Sequence, residues 1–348
     1  MFLKTTKRQK VTIKDIARQC NVSTQTVSRV INKRLDVSPS TRKAIETAIS
    51  DLGYYPSAVA RSLVRQKSGT LGLIIGGMRY LGMAQVLNGI TEACEEANYA
   101  LIIKNLSKIY TPNFLPIIET LMEHQVEGIL FAAPDVNENI RTAQSQLPVH
   151  CPPVIFLKCE PNTKFTSISI DNYGGAFKAA EYLISIGRHH IGLIAGPLDW
   201  LESRQRKKGW EVALSQNRLE LSPRYWSQGN WSPTSGKDAF IELIQKYPEM
   251  DALFISNDQM ALGAMQYAGS HGIRIPDDIA VIGFDNLSES EFFSPPLTTI
   301  IHPLHELGKI AVTKLLDKIQ DDLAPTENQN IVLPTSLIFR KSTPTIDQ

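Results

Sequence analysis

The pattern of apolar and polar positions changes character once along the chain, near residue 70. Before that point apolar residues recur at helical spacing in short segments. Ile13, Ile16 and Ala17 predict a helix near 12–19, with Thr12 placed to cap it. After the turn Cys20–Asn21–Val22, Ser23 is suited to cap a second helix running to about Asn32, with Val27, Val30 and Ile31 facing inward. Ser38, followed by Pro39 at the first helical position, opens a third helix. Its expected buried stripe is Ala44, Ile45, Ala48, Ile49 and Leu52, and Gly53 ends it. Beyond Pro56, residues 57–64 are weakly helical. Eight residues are marginal as an isolated helix, so this segment would order only against a partner.

From Thr70 the period becomes that of buried parallel strands alternating with helices. TLGLII (70–75), Tyr99–Ile103, GILFAA (128–133) and VIFLK (154–158) read as strands, with helices expected over about 82–97 and 112–125. Past Ile170 the rhythm restarts: helix 174–186, strand 190–196, helices 203–216 and 232–247, strand 252–256, helix 259–271 and strand 279–285. Two doubly wound α/β halves fit this order. In such sheets ligands sit beyond the carboxyl ends of the strands. That directs attention to Gly76–Tyr80, Asp135, Lys158, Asn257–Asp258, Asp285–Asn286 and the loop 196–210. Any single one of these could instead be a helix cap or turn residue, Asp258 in particular.

Charge separates the same two regions. The chain is nearly neutral overall at +1, but residues 1–67 hold 14 Lys and Arg against 4 Asp and Glu, while the remainder holds 22 against 31. A basic head on an acidic body is the footprint of a nucleic-acid reader, although a merely solvated basic tail gives the same count. The second helix sharpens the choice. Its outer face presents Thr24, Gln25, Ser28 and Arg29. Gln can pair with adenine and Arg with guanine in the major groove, and residues near the helix N-terminus reach base edges first. This is a helix-turn-helix pattern.

VTIKDIARQCNVSTQTVSRVIN, followed by VSPSTRKAIETAISDLGYYPSAVARSL, closely resembles the head of the lactose repressor (LacI/GalR) family, and the resemblance continues to about Ser342. It implies an all-α helix-turn-helix head (1–56), a hinge helix and linker (57–69) and a periplasmic-binding-protein-like α/β body (70–342) of two doubly wound subdomains, with a tail at 343–348. The first subdomain would comprise about 70–168 and 304–330, the second about 169–301 and 331–342. The resemblance implies that Thr24, Gln25 and Arg29 read bases, with Ser23, Ser28 and Asn32 on or near phosphates, and Thr12 belongs to the same DNA-binding set. Ser57, Ala60 and Leu63 would lie in the minor groove, Leu63 as a wedge between base pairs.

In the body the resemblance places Arg206, in RKKGW, at the main effector-binding arginine, Asn257 and Asp258 at a ligand-binding amide and carboxylate, and Asp285 at a hydroxyl-binding carboxylate. Trp231, in GNWS, falls where sugar-responsive members stack an indole on the ring; an ordinary loop-anchoring aromatic is the alternative. Gly76 and His302 complete the expected effector set. Two departures stand out. Lys158 replaces an aspartate of the family's namesake, and His302 and Leu304 replace a glutamine and a phenylalanine. Lys158 with Arg206, and with Arg79, favours an anionic ligand such as a sugar phosphate or sugar acid, unless Lys158 points to solvent or pairs with Glu160.

No GxSxG, HExxH, GxGxxG or Walker-type loop is present, so ligand binding without turnover is expected, with no cofactor and no metal. Cys20, Cys94, Cys151 and Cys159 lack metal-ligand spacing and suit a reducing cytoplasm. No signal peptide or membrane span is legible. A pseudo-palindromic double-stranded operator, a small carbohydrate-like effector and a homodimer formed along helices 82–97 and 259–271 are the expected partners. The rival reading is a solute-receptor-type sugar-binding protein of the same body fold, against which the basic head and the missing export signal both argue.

Overall fold

A computed structural model describes residues 11–55, 67–160, 164–320 and 327–344. The chain divides into two units, Met1–Ser68 and Gly69–Gln348, and each is taken by itself. The first contains α1 (Ile13–Gln19), α2 (Thr24–Ile31) and α3 (Pro39–Leu52). Each helix start is satisfied locally. The Thr12 N–H and hydroxyl both donate to the Asp15 carboxylate, at 2.9 and 2.7 Å. Ser23 accepts from the Thr26 N–H at 3.1 Å, and Ser38 from the Thr41 N–H at 3.2 Å. Gly53 ends α3 in the left-handed conformation, φ +59°, which glycine adopts without a Cβ clash. Ile16, Ala17, Val27, Val30, Ile45 and Ala48 form the small core. Ala44 is exposed, contrary to the expected stripe. It lies about 100° around the helix from Ile45, past the edge of a face that only two short helices cover.

The second unit holds two six-stranded sheets. The first contains β1 (Thr70–Gly76), β2 (Ala100–Leu106), β3 (Gly128–Ala132), β4 (Val154–Leu157), β5 (Thr166–Ile170) and β11 (Asn330–Leu333), ordered β11-β5-β4-β3-β1-β2 and parallel throughout. Helices α4 (Leu81–Glu96), α5 (Leu115–Glu123) and α6 (Asn139–Ser145) connect its strands, and α11 (Leu304–Gln320) returns to pack on α4 and on β3, β4 and β5. α4 and α11 touch closely: a Cβ on Gly89 would come within 2.0 Å of the His305 carbonyl oxygen.

The second sheet contains β6 (Ile191–Ala195), β7 (Trp226–Gln228), β8 (Ala252–Ile255), β9 (Ala280–Asp285), β10 (Thr298–Ile301) and β12 (Ser336–Ile338), ordered β12-β10-β9-β8-β6-β7. Only β12 runs antiparallel, on β10. Helices α7 (Asn172–Ser185), α8 (Leu201–Gln216), α9 (Pro233–Lys246) and α10 (Asp258–Ser270) complete this half. The central strands of both sheets are buried along nearly their whole length, which is why they read as continuous apolar runs.

The chain passes between the sheets three times: after Ile170, after His302, and between Leu333 and Ser336. The third crossing corrects the expected boundary. Residues 331–333 extend β11 beside β5 in the first sheet, so the switch falls at 334–335. Short edge strands carry little hydrophobic pattern, and only Leu333 of β11 is buried.

Candidate ligand cleft and nucleic-acid face

In the first unit, α2 turns Val27 and Val30 inward, leaving Thr24, Gln25, Arg29 and Asn32 exposed and Ser28 half-buried. Gln25, Ser28, Arg29 and Asn32 share one concave surface with Lys33, Arg34, Leu35 and Asp36. The Asn32 amide donates to the Ser28 carbonyl at 2.8 Å, fixing the end of this face. Asp36, absent from the sequence-derived set, lies 3.5 Å from Arg29 in an exposed ion pair. The Thr12 and Ser23 hydroxyls serve as caps and remain exposed at the helix starts. Ser57, Ala60 and Leu63, with the rest of the expected hinge, lie outside the described residues.

In the second unit, the strand ends of the two sheets line an open cleft. Of the expected effector residues, Lys158, Arg206, Trp231, Asn257, Asp285 and His302 line it, together with Tyr80, Met83, Trp200, Glu202, Gln259 and Leu304. Gly76 and Asp258 do not. Gly76 is buried at the end of β1 against Leu106 and Pro134. Asp258 is fully buried, and its carboxylate accepts from the Leu287 N–H at 3.0 Å and from the Ser290 and Thr299 hydroxyls at 2.6 Å each. It fastens the loop after β9 to β10. Burial, followed by the nearby Asp285 charge, pushes its pKa up to about 7.

Arg206, on the inner face of α8, is held by four neighbours. Its Nε donates to Asn172 Oδ1 at 2.9 Å, and one terminal nitrogen donates to the Ser256 carbonyl. That nitrogen lies 3.6 Å from Asp285 Oδ1, and the guanidinium sits 3.7 Å over the Phe284 ring. His302 Nδ1 is 3.3 Å from the same Asp285 oxygen. Burial raises the Asp285 carboxyl to about 6 against the opposing pull of Arg206 and Lys158. Burial and those same two cations keep His302 well below its ordinary value, hence neutral. With its proton on Nδ1 toward Asp285, His302 offers Nε2 as an acceptor, and that atom has no hydrogen-bond partner among the described residues.

Lys158 does not meet Glu160 or solvent. Its ammonium lies 2.6 Å from Glu202, and both side chains are buried. Burial works to raise the Glu202 carboxyl, but Lys158 outweighs it and holds the pKa below the ordinary value. Arg79 is exposed and donates to the Tyr80 hydroxyl outside the cleft lining. The two cations behind the expectation of an anionic ligand are therefore each matched by a carboxylate.

Trp231 lies flat on Gly196, where a Cβ would approach the indole to 2.2 Å. Its ring meets Trp200 edge-on at 5.8 Å, and Trp200 meets Tyr80 edge-on at 5.1 Å. These form an aromatic row from one half to the other. Asn257 caps α10 through the Met260 N–H at 2.9 Å, and its amide donates to the Trp231 carbonyl at 3.1 Å, so it positions the indole loop. Lys158, Trp231 and Asp285 all have left-handed backbones, with φ of +57°, +73° and +115°. Non-glycine residues hold such conformations at a cost of about 1–3 kcal/mol each, and they cluster where side chains must be aimed. Trp200 and Glu202 were legible only as part of the loop 196–210, because no local pattern separates a cleft-lining residue there from a solvated one. His189 and His190 belong to a turn whose two N–H groups donate to Asp251.

A helix-turn-helix head in one chain with a two-sheet body that has a polar cleft at its strand ends defines a ligand-responsive DNA-binding regulator. Sequence comparison agrees along most of the chain. A profile of the bacterial regulatory proteins of the lacI family matches residues 12–57, and one of the periplasmic binding protein-like domain matches 180–343. Catabolite control protein A of Priestia megaterium is 34% identical over 335 residues, 96% of this chain and 99% of that relative. The HTH-type transcriptional repressor PurR of Vibrio atlanticus is 36% identical over 312 residues, 89% and 92% respectively. The lac repressor dimer bound to operator and the anti-inducer ONPF superposes with a TM-score of 0.85 at 30% identity, covering 97% of this chain and all of that one. The transcriptional regulator CelR in complex with cellobiose gives 0.71 at 28% identity, covering 95% and 99%. The chain belongs to the lacI family of bacterial regulatory proteins. Its relatives are regulators, and it is a transcription regulator rather than an enzyme. Among the described residues no cluster of metal-ligating side chains occurs, and no helix is long and apolar enough to cross a membrane.

Proposed function

We propose that the protein is a cytoplasmic repressor that binds a pseudo-palindromic operator as a homodimer and releases it when an uncharged, hydroxyl-rich, carbohydrate-like molecule fills the cleft. The observation that carries the ligand class is that three residues lining the cleft hold buried polar atoms without a hydrogen-bond partner among the described residues: Glu202 Oε2, His302 Nε2 and Trp231 Nε1. Two accept and one donates. A sugar supplies both complements through its hydroxyls, and the aromatic row offers its C–H faces an apolar surface. With Lys158 matched by Glu202 and Arg206 by Asp285, a phosphate or carboxylate would find no unmatched cation. CelR, a structural relative, is solved with a disaccharide.

The lac repressor relative is a dimer on its operator, and the exposed Leu81 of α4 and Leu262 of α10 suit the two helices expected to face a second copy. The base-reading set would be Thr24, Gln25 and Arg29, with Thr12, Ser23, Ser28 and Asn32 toward phosphates. Calorimetric titration of neutral mono- and disaccharides, their phosphates and nucleobases, paired with a gel-shift assay on inverted-repeat DNA, tests the reading. Binding of a neutral sugar that weakens the shifted complex supports it. Nucleobase or sugar-phosphate binding with no response to neutral sugars overturns the ligand class.

A further inference from the structure

Lys158 and Glu202 face each other from opposite halves of the body. Lys158 follows β4 of the first sheet and reaches into the cleft from a left-handed backbone, while Glu202 sits in the first turn of α8 beside the second. Their ion pair, at 2.6 Å, is nine-tenths buried on both sides and lies on the cleft wall. Neither partner hydrogen-bonds Arg206, whose hydrogen bonds go to Asn172 and Ser256 and whose nearest opposite charge is Asp285, with Glu202 a second carboxylate in its field.

A lone buried ammonium would draw an anion from solution. Glu202 already occupies that place, and its second oxygen, Oε2, has no hydrogen-bond partner among the described residues. An incoming anionic group would meet this oxygen as a like charge, whereas a hydroxyl can donate to it. We propose that Glu202 is the charge-selecting residue of the cleft: held on Lys158, it admits hydroxyl-bearing neutral ligands, and its loss turns Lys158 into a binding point for phosphate or carboxylate.

The inference rests on the cleft being the effector site, but inorganic phosphate tests it without any sugar. The full chain, Glu202→Gln, Glu202→Ser and Lys158→Met/Glu202→Gln are titrated with inorganic phosphate, with a hexose and with the same hexose carrying a phosphate. Thermal shift and calorimetry at low and high salt provide the readouts. The unaltered protein should show no salt-sensitive stabilisation by phosphate. Glu202→Gln should bind phosphate at least tenfold more tightly, and the double variant should lose that gain. Equal phosphate binding by the unaltered protein and Glu202→Gln overturns the proposal, as does a gain that survives removal of Lys158. If neither single variant folds even in phosphate buffer, Glu202 is only a structural partner of Lys158 and the proposal is again overturned. If the phosphate pattern holds while no neutral sugar binds, the carbohydrate reading fails and the charge selection stands.

Discussion

Gln25 and Arg29 stand exposed on a three-helix head with a six-residue core, whereas Arg206 and His302 are buried against a largely covered Asp285 at the strand ends of a far larger body. The difference separates two ways of carrying function. On the head, the groups proposed to meet DNA contribute little to folding, because water solvates them in the free protein. In the cleft the same types of side chain are desolvated, so each depends on its neighbour, and binding and stability are coupled.

The largest test of that contrast is Arg206→Ala. It leaves Asp285 buried without its cation and should cost about 3–5 kcal/mol in urea unfolding of the body, together with the ligand response. A loss below about 1 kcal/mol would mean the site is wet and the contrast false.

The two regions should also differ in pH dependence. The Asp258 and Asp285 carboxyls are raised, to about 7 and about 6 from 3.8, chiefly by burial. The folded body therefore keeps protons that the unfolded chain has released. The stability from these groups is complete below pH 3.8 and is lost as pH rises through 6 and 7. The expected change is on the order of a few kcal/mol, and Asp258→Asn should flatten it. In the head, hydrogen bonds from Thr12 hold the exposed Asp15 below its ordinary value. Its contribution is present at neutral pH and disappears in acid. Amide hydrogen exchange followed separately for α1 and for β9 reads both trends, and parallel slopes would contradict the assignment.

Arg29→Ala should lower discrimination between operator and altered sites by about 1–3 kcal/mol in competition binding, while thermal stability moves by no more than about 0.5 kcal/mol. The smallest effect belongs to Ser23→Ala, which removes the cap of α2 and should cost about 1 kcal/mol, visible as faster exchange of the Thr26 amide.

The head was almost fully legible because helix caps and inward stripes are properties of neighbouring residues; Ala44 failed because stripe width depends on what packs against it. In the cleft, six of the eight expected residues line the wall. The strand-end rule finds positions, and strand ends are visible as the close of an apolar run. It cannot tell which side chain turns back into the fold, as Asp258 does toward Ser290 and Thr299. Nor did it separate Trp200 and Glu202 from the rest of their loop.

Contiguous sequence was enough to set a basic helical reader ahead of two parallel-sheet halves, since periodicity, capping and the balance of charge all act over a few residues. Pairing was decided only by the folded chain: Lys158 with Glu202, Asp285 between Arg206 and His302, and β11 beside β5. The value of a buried charge depends on which opposite charge reaches it once water has left. Segments far apart along the chain set that distance.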